Sequence, residues 1–274
     1  MSDISLNSGI RSNLLSLQNT ATLLNRTQTR LGTGKKVNSA VDNPANYFTS
    51  VALKQRSDDL TARMDGITKG IQTVKAADVG ISGITGLIKQ LKGIVQDAQG
   101  TTNTSDRQTL QSRFNTVMQQ ITDLAEDSGY DGVNLLQGGS LTVQFSEKAG
   151  DSTLGLTGFT ADGTTNSQLA IATQGVSFTD TASLTAVVTA LENAEVVLRN
   201  KSRELSANLG VLTARQDFTK NMVNTLTTGA DNLVNADTNE EAANLLALNT
   251  QQSLGVNALS LASQQAQSVL RLLG

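Results

Sequence analysis

Apolar side chains return at alternating steps of four and three at both ends of the chain. Near the start the row is Ile10, Leu14, Leu17, Ala21, Leu24, Gln28 and Leu31. Near the end it is Leu245, Leu248, Gln252, Gly255, Leu259, Ala262, Ala266, Val269 and Leu273. This is the spacing of a coiled-coil seam. Each seam is too narrow to hold a helix alone, so the two together predict a helical pair that joins the chain ends. Their remaining faces carry Ser, Thr, Asn and Gln where solvated helices usually carry Lys and Glu. From Ala242 to Leu270 no side chain is charged. A membrane span would strand the amides of Asn249, Gln251, Gln252, Asn257 and Gln264 in lipid. Such faces suit burial against further copies of the chain, where unpaired charge is costly; a helix pair buried inside one domain is the plainer alternative.

Three longer stripes lie between the ends. The first is Ile67, Ile71, Val74, Ala77, Ile81, Ile84, Ile88, Leu91, Val95 and Ala98. It belongs to a helical pattern from about Asn46 to Gln99, roughly 80 Å long at 1.5 Å per residue. Gly66, Gly70, Gly80, Gly83, Gly86 and Gly93 interrupt it, and close approach of neighbouring helices is the expected reason. The second stripe is Leu110, Phe114, Val117, Ile121 and Leu124, with Thr104 or Ser105 as the expected cap and Asp106 in the first turn. The third runs Leu184, Val188, Leu191, Leu198, Leu205, Leu209, Leu212, Val223, Leu226 and Leu233, broken by Glu195, Ser202, Gln216 and Thr219. Ile71, Ile81, Ile88, Leu91, Phe114, Ile121, Leu205, Leu212 and Leu226 are therefore the expected bundle core. From Tyr130 to about Phe178 the pattern changes: YDGVNLLQGG is rich in turn formers and LTVQF alternates like a strand. The fold class is mainly α: an elongated helical bundle with paired terminal helices, a small β-hairpin and a short strand-and-loop elaboration.

Composition narrows the chemistry. The 274 residues include 1 Pro, 3% aromatics and no Trp, so the core is aliphatic. A net charge of −3 with no basic stripe gives no footprint for nucleic acid. With 0 Cys and 0 His, disulfides, thiolate chemistry and Ser-His-Asp triads are impossible. No cofactor or metal site is expected, because a zinc site would have to be all carboxylate. LGTGKKV (Leu31 to Val37) lacks the spacing of a phosphate-binding loop. The adjacent acids Asp58-Asp59 and Glu240-Glu241 point apart on a helix and are expected to be solvated. MSDISLNSGIRSNLL shows no basic region followed by an apolar core, so no cleavable signal peptide is expected.

Three separated motifs resemble one family. RLGTGKKVNSAVDNPANY (Arg30 to Tyr47) is similar to the turn after the first helix of bacterial flagellins. YDGVNLLQGG resembles their FNG.NLL segment, and the tail from Val234 resembles their Leu-rich ending. The likeness is strongest to the compact flagellins of alphaproteobacteria. The resemblance implies a structural protein, not an enzyme: a subunit that polymerises in many copies into the extracellular flagellar filament, the propeller of swimming motility. It implies export in an unfolded state through the flagellar type III channel, a flagellin export chaperone on about 235–274, and contact with filament cap and hook-associated proteins. It implies terminal helices, disordered before assembly, that form an inner tube from 1–36 with 237–274. Residues 37–138 with 180–236 then form an outer helical domain with its hairpin, and 139–179 is a short exposed segment. Ile10, Leu14, Leu17, Leu24, Leu31, Leu245, Leu248, Leu259, Val269 and Leu273 become polymerisation residues. Neither nucleic acid nor membrane insertion is implied. A flagellin-like hook–filament junction protein is the nearest alternative, and a secreted helical adhesin or effector a more distant one.

Many flagellins are detected by a vertebrate Toll-like receptor through an Arg, a Leu four residues on, and a Glu on the next helix. Here LIKQLKGIVQ (Leu87 to Gln96) places Lys89, Gly93 and Arg113 at those positions. The departures imply weak or absent activation.

Overall fold

A computed structural model describes residues 8–148, 150–162, 168, 169, 171 and 177–273. The element order is α1 (Ser8–Thr33), α2 (Pro44–Gly100), α3 (Thr104–Asp127), β1 (Ser140–Gln144), β2 (Thr153–Thr157), α4 (Thr181–Val234) and α5 (Thr238–Leu273). The contacts divide into two units, one of Met1–Gln55 with Thr225–Gly274 and the other of Arg56–Asn224.

The larger unit holds one aliphatic core. All ten stripe residues of α2, from Ile67 to Ala98, are buried in it. Phe114, Met118, Ile121 and Ala125 enter from α3, and Leu184, Leu191, Leu198, Leu205 and Leu212 from α4. An 18-residue window of α4 is apolar enough to cross a bilayer by composition, and 28% of that window is buried inside the protein. Three of the four polar breaks in the α4 stripe face polar partners on α2. Glu195 pairs with Lys92 at 3.0 Å, Ser202 Oγ donates to Asp78 at 2.9 Å, and Gln216 Nε2 donates to Thr68 Oγ1 at 3.0 Å. The Lys92–Glu195 contact is part-buried and the other two are exposed, so the matches cost little and help hold register.

The α2 glycines have two explanations. A Cβ at Gly70 would come within 2.7 Å of Val143 Cγ2, one at Gly80 within 2.7 Å of Ser128 Cβ, and one at Gly83 within 2.7 Å of Leu124 Cδ2. These three allow close approach of β1 and α3. Gly66, Gly86 and Gly93 have nothing within 4 Å of that position, so packing does not require them.

The cap of α3 is Asn103, one residue earlier than expected; its side chain accepts from Ser105 N at 3.0 Å. Asp180 caps α4, accepting from Ser183 N at 2.7 Å and Ser183 Oγ at 2.9 Å. Those bonds, backbone first, hold its carboxyl below the usual 3.8.

YDGV is a tight two-residue turn. Tyr130 and Val133 exchange backbone bonds of 2.9 and 3.0 Å, with φ of 49° at Asp131 and 78° at Gly132. Two positive φ values in a row are what Asp-Gly supplies best. Asn134 Nδ2 then donates to Ala125 O and Glu126 O at 2.7 and 2.9 Å, closing the C-terminus of α3. Leu135 and Leu136 drop into the core. Asp131 pairs with Lys69 at 2.8 Å, raising the Lys69 pKa through that hydrogen bond and its charge.

β1 and β2 pair antiparallel with Ser140 opposite Thr157 and Gln144 opposite Thr153. The expectation that 139–179 is simply an exposed segment needs correction. Val143, Phe145, Leu156, Phe159, Leu169, Ile171 and Phe178 are all buried in the core. Phe178 meets Phe114 edge-on at 5.4 Å, and Phe159 N donates to Leu135 O at 2.7 Å. Its sparse apolar residues, unreadable as a period, are inward anchors among surface Ser, Thr and Gly.

Candidate self-assembly surface

The smaller unit is organised by two adjacent connections. After α1 ends, Gly34 takes φ +68°, the left-handed turn that closes many helices. Lys36 N and Val37 N donate to Val234 O at 2.7 and 3.3 Å, and Ala236 N donates to Gly34 O at 2.9 Å. LGTGKKV is thus a structural strap between the α1–α2 and α4–α5 turns. Asp42 folds the rest of its loop by accepting from Asn38 N and Ser39 N, both at 3.0 Å. These two bonds lower its pKa below 3.8. Asp237 opens α5, accepting from Asn239 N at 2.8 Å.

From these turns α1 and α5 run as a pair. On α5 the half-buried positions from Leu245 to Ala262 are Leu245, Leu248, Gln252, Gly255, Leu259 and Ala262, the same residues that the heptad reading selects. A Cβ on Gly255 would lie 3.0 Å from Leu17 Cδ2, so glycine makes room for that leucine. On α1, Leu24 is buried, Ile10, Leu17 and Leu31 are half-buried, and Leu14 is 42% exposed. Gln28 does not enter the seam; Thr27 does, with Thr20 one heptad before it. Both are short enough to fit close to α5, and Thr20 Oγ1 returns its hydrogen to Ser16 O at 2.9 Å. The side chains of Val269 and Leu273 lie outside the described residues.

Glu241 departs from expectation. It is buried, and Arg30 Nη1 meets its Oε1 at 3.1 Å. The pair sits at the root of a seam that has no further charge along α5 up to Leu270. Sequence spacing sees only two adjacent acids; which one faces α1 depends on where α5 begins.

The sequence pattern also missed a second apolar row. Leu246, Leu254 and Leu261 are 70%, 65% and 58% exposed. At 100° per residue they gather on the side of α5 opposite its seam. Leu15 and Leu23 of α1 are exposed as well. Their spacing of seven and eight is itself a heptad signal, hidden because the stronger neighbouring row takes the eye. Three of the four largest exposures on this pair therefore belong to leucines of α5, and because they share one face they form an apolar row of the kind that marks an interaction surface.

The bundle-core residues Ile71, Ile81, Ile88, Leu91, Phe114, Ile121, Leu205 and Leu212 fall in one cluster. Leu226 is buried too, but in the smaller unit, because α4 passes from one unit to the other after Asn224. Lys89 and Arg113 are exposed, and Gly93 is half-buried with open space about it.

An aliphatic bundle with an incompletely covered terminal helix pair places the chain among mainly α, helical-bundle proteins. Comparison with known proteins agrees. The bacterial flagellin N-terminal helical region matches residues 4–140, and the bacterial flagellin C-terminal helical region matches residues 198–273. Flagellin FljM of Caulobacter vibrioides is 31% identical over 99% of this chain and 98% of its own. A flagellin of Brucella melitensis is 28% identical over 99% of both chains. Among solved structures, a Bacillus cereus flagellin aligns with a TM-score of 0.47 at 18% identity, covering 56% of this chain and 88% of that one. The chain belongs to the bacterial flagellin family, the structural, non-enzymatic subunits of the extracellular flagellar filament.

Proposed function

We propose that this chain polymerises as a principal filament subunit, with its terminal helix pair completed only by neighbouring copies. The observation that carries the reading is the α1/α5 pair, whose α5 side is uncharged from Ala242 to Leu270 and which covers one seam and leaves Leu246, Leu254 and Leu261 bare. A pair that buries so few side chains offsets little chain entropy, so order in the ends is coupled to assembly. The same economy suits export as an unfolded chain through the flagellar type III channel, with a chaperone on about 235–274 and assembly beneath a cap beyond the hook-associated proteins. In this reading 1–36 with 237–274 form the inner tube, and 37–138 with 180–236 the outer one. Electron microscopy of purified protein after seeding or salting out tests it. Helical filaments are expected; a protein that stays monomeric in the presence of seeds refutes it.

Lys89, Gly93 and Arg113 all lie in the larger unit. Lys89 keeps a positive charge but lacks the planar fork of Arg. Gly93 offers no side chain to fill a pocket, and Arg113 carries the opposite sign to the expected acid. Depolymerised protein should therefore activate Toll-like receptor reporter cells weakly or not at all. Restoring Arg, Leu and Glu at the three positions should raise the response; full activation by the unaltered chain would refute the reading.

A further inference from the structure

An open groove of about 570 Å³ runs between α2 and α4 in the larger unit, lined by Asp78, Ser82, Lys89, Glu195, Arg199 and Arg203 among others. Its two acids are already engaged, Asp78 by Ser202 and Glu195 by Lys92. Its three cations are exposed. Arg203 donates only to Asn200 at 3.4 Å, and no ion pair among the described residues includes Lys89, Arg199 or Arg203. Glu195 is neutralised by Lys92, and the Asp78 carboxylate, bonded only by a neutral hydroxyl, keeps its charge, so three cations face one remaining acid and the groove carries a net positive charge.

The complementary feature lies on the same unit. No Lys or Arg occurs from Phe114 to Glu147, while Asp123, Glu126, Asp127, Asp131 and Glu147 do. Asp131 is neutralised by Lys69 and Glu147 by Arg56. Asp123, Glu126 and Asp127 remain, in the last turns of α3, whose final turn has no basic residue. Asp123 accepts only from the amides of Gln119 and Gln120, at 2.9 Å each. Carboxylates at a helix C-terminus oppose the macrodipole, so local helix stability does not account for them.

The two features occupy opposite flanks of α2 at the same level. At 100° per residue, Asp78, Ser82, Thr85 and Lys89 fall within about 60° of one another around the axis. Gly80 and Gly83, which meet Ser128 and Leu124 at the end of α3, lie on roughly the other side. One molecule cannot readily bring its own acids to its own groove across that helix. Two molecules side by side can, and every copy then has one free patch of each kind. A contact between two different patches is heterologous, and where its rotation does not close into a ring it repeats as an open helical assembly.

We infer that the α2/α4 groove receives the acidic C-terminal end of α3 from a second copy of this chain. The inference rests on the filament reading and adds to it a named electrostatic contact. Two charge reversals test it, Arg199→Glu with Arg203→Glu, and Glu126→Lys with Asp127→Lys. Seeded polymerisation is followed by sedimentation, with the monomer melting curve as the control for folding. Each reversal should raise the critical concentration about tenfold or more, and the two combined in one chain should return it to within about threefold of the original. The monomer melting curves should coincide, because all four side chains are exposed. An unchanged critical concentration in either reversal, or no rescue in the combined chain, overturns the contact and leaves the filament reading standing. Failure of the unaltered chain to polymerise on seeds removes both.

Discussion

Gly66 and Gly80 are the same residue type on the same helix, and the sequence gives no means of telling them apart. Their surroundings do. A methyl group at Gly66 enters open space, while one at Gly80 is driven into Ser128 Cβ, a single bond from backbone that cannot swing away. Gly66→Ala should stabilise the larger unit by about 0.5–1 kcal/mol through helix propensity. Gly80→Ala should destabilise it by about 1–3 kcal/mol through overpacking. Thermal melts followed by circular dichroism would show opposite shifts, and shifts of the same sign would contradict the packing. The Arg30–Glu241 pair makes a second prediction at this scale. Glu241 is buried, so Glu241→Gln leaves the guanidinium without its charge partner, and Arg30→Ala leaves the acid alone. A double-mutant cycle on filament dissociation temperature should give a coupling of about 1–3 kcal/mol. Additive effects would show that the pair contributes only at the surface level.

The α1 and α5 elements are marginal in themselves and specific together. Leu17 lies against Gly255, and Leu259 is half-covered three residues before Ala262 closes the described part of the seam. Leu17→Asp or Leu259→Asp would place a carboxylate in that seam, at a cost of roughly 2 kcal/mol or more for each contact made on assembly. Filament yield should collapse. The melting transition of the larger unit should hold, since neither residue belongs to its core. A large drop in that transition would mean that the terminal pair is a prefolded part of the stable monomer. The α3 helix illustrates the opposite case. Its stripe is short, but its Asn103 cap and the Asn134 closure of its last carbonyls fix both ends.

At the scale of the molecule, the core of Arg56–Asn224 is closed on itself, and the tail is not part of it. Deleting Ala236 to Gly274 removes α5 and the Ala236–Gly34 strap. The product should be a soluble monomer that retains the cooperative unfolding of the larger unit and does not polymerise on seeds. Analytical ultracentrifugation and calorimetry would check both halves of that statement. Ordinary filaments from the shortened chain would remove the tail from the assembly mechanism.

Periodicity alone determined much of this protein. A helix needs only a stripe repeating every three to four residues, and each long stripe here became a helix, with the stripe inward throughout α2 and more loosely on α1, where Leu14 and Gln28 are exposed. All ten positions on α2 and the six described positions from Leu245 to Ala262 were legible because burial on a helix follows a fixed angle per residue. The three motifs likewise carried the family. Tertiary structure decided what spacing cannot encode. It chose Thr27 over Gln28, because the curvature of one helix around another selects among neighbouring residues. It buried Glu241 and left Glu240 in solvent, because the start of α5 sets its rotation. It drew Phe159, Leu169 and Ile171 out of an aperiodic segment into the core, because an irregular chain can deliver a side chain at any interval. It also divided the glycines of α2 into those that neighbours require and those they do not, a difference that exists only when the neighbours are present.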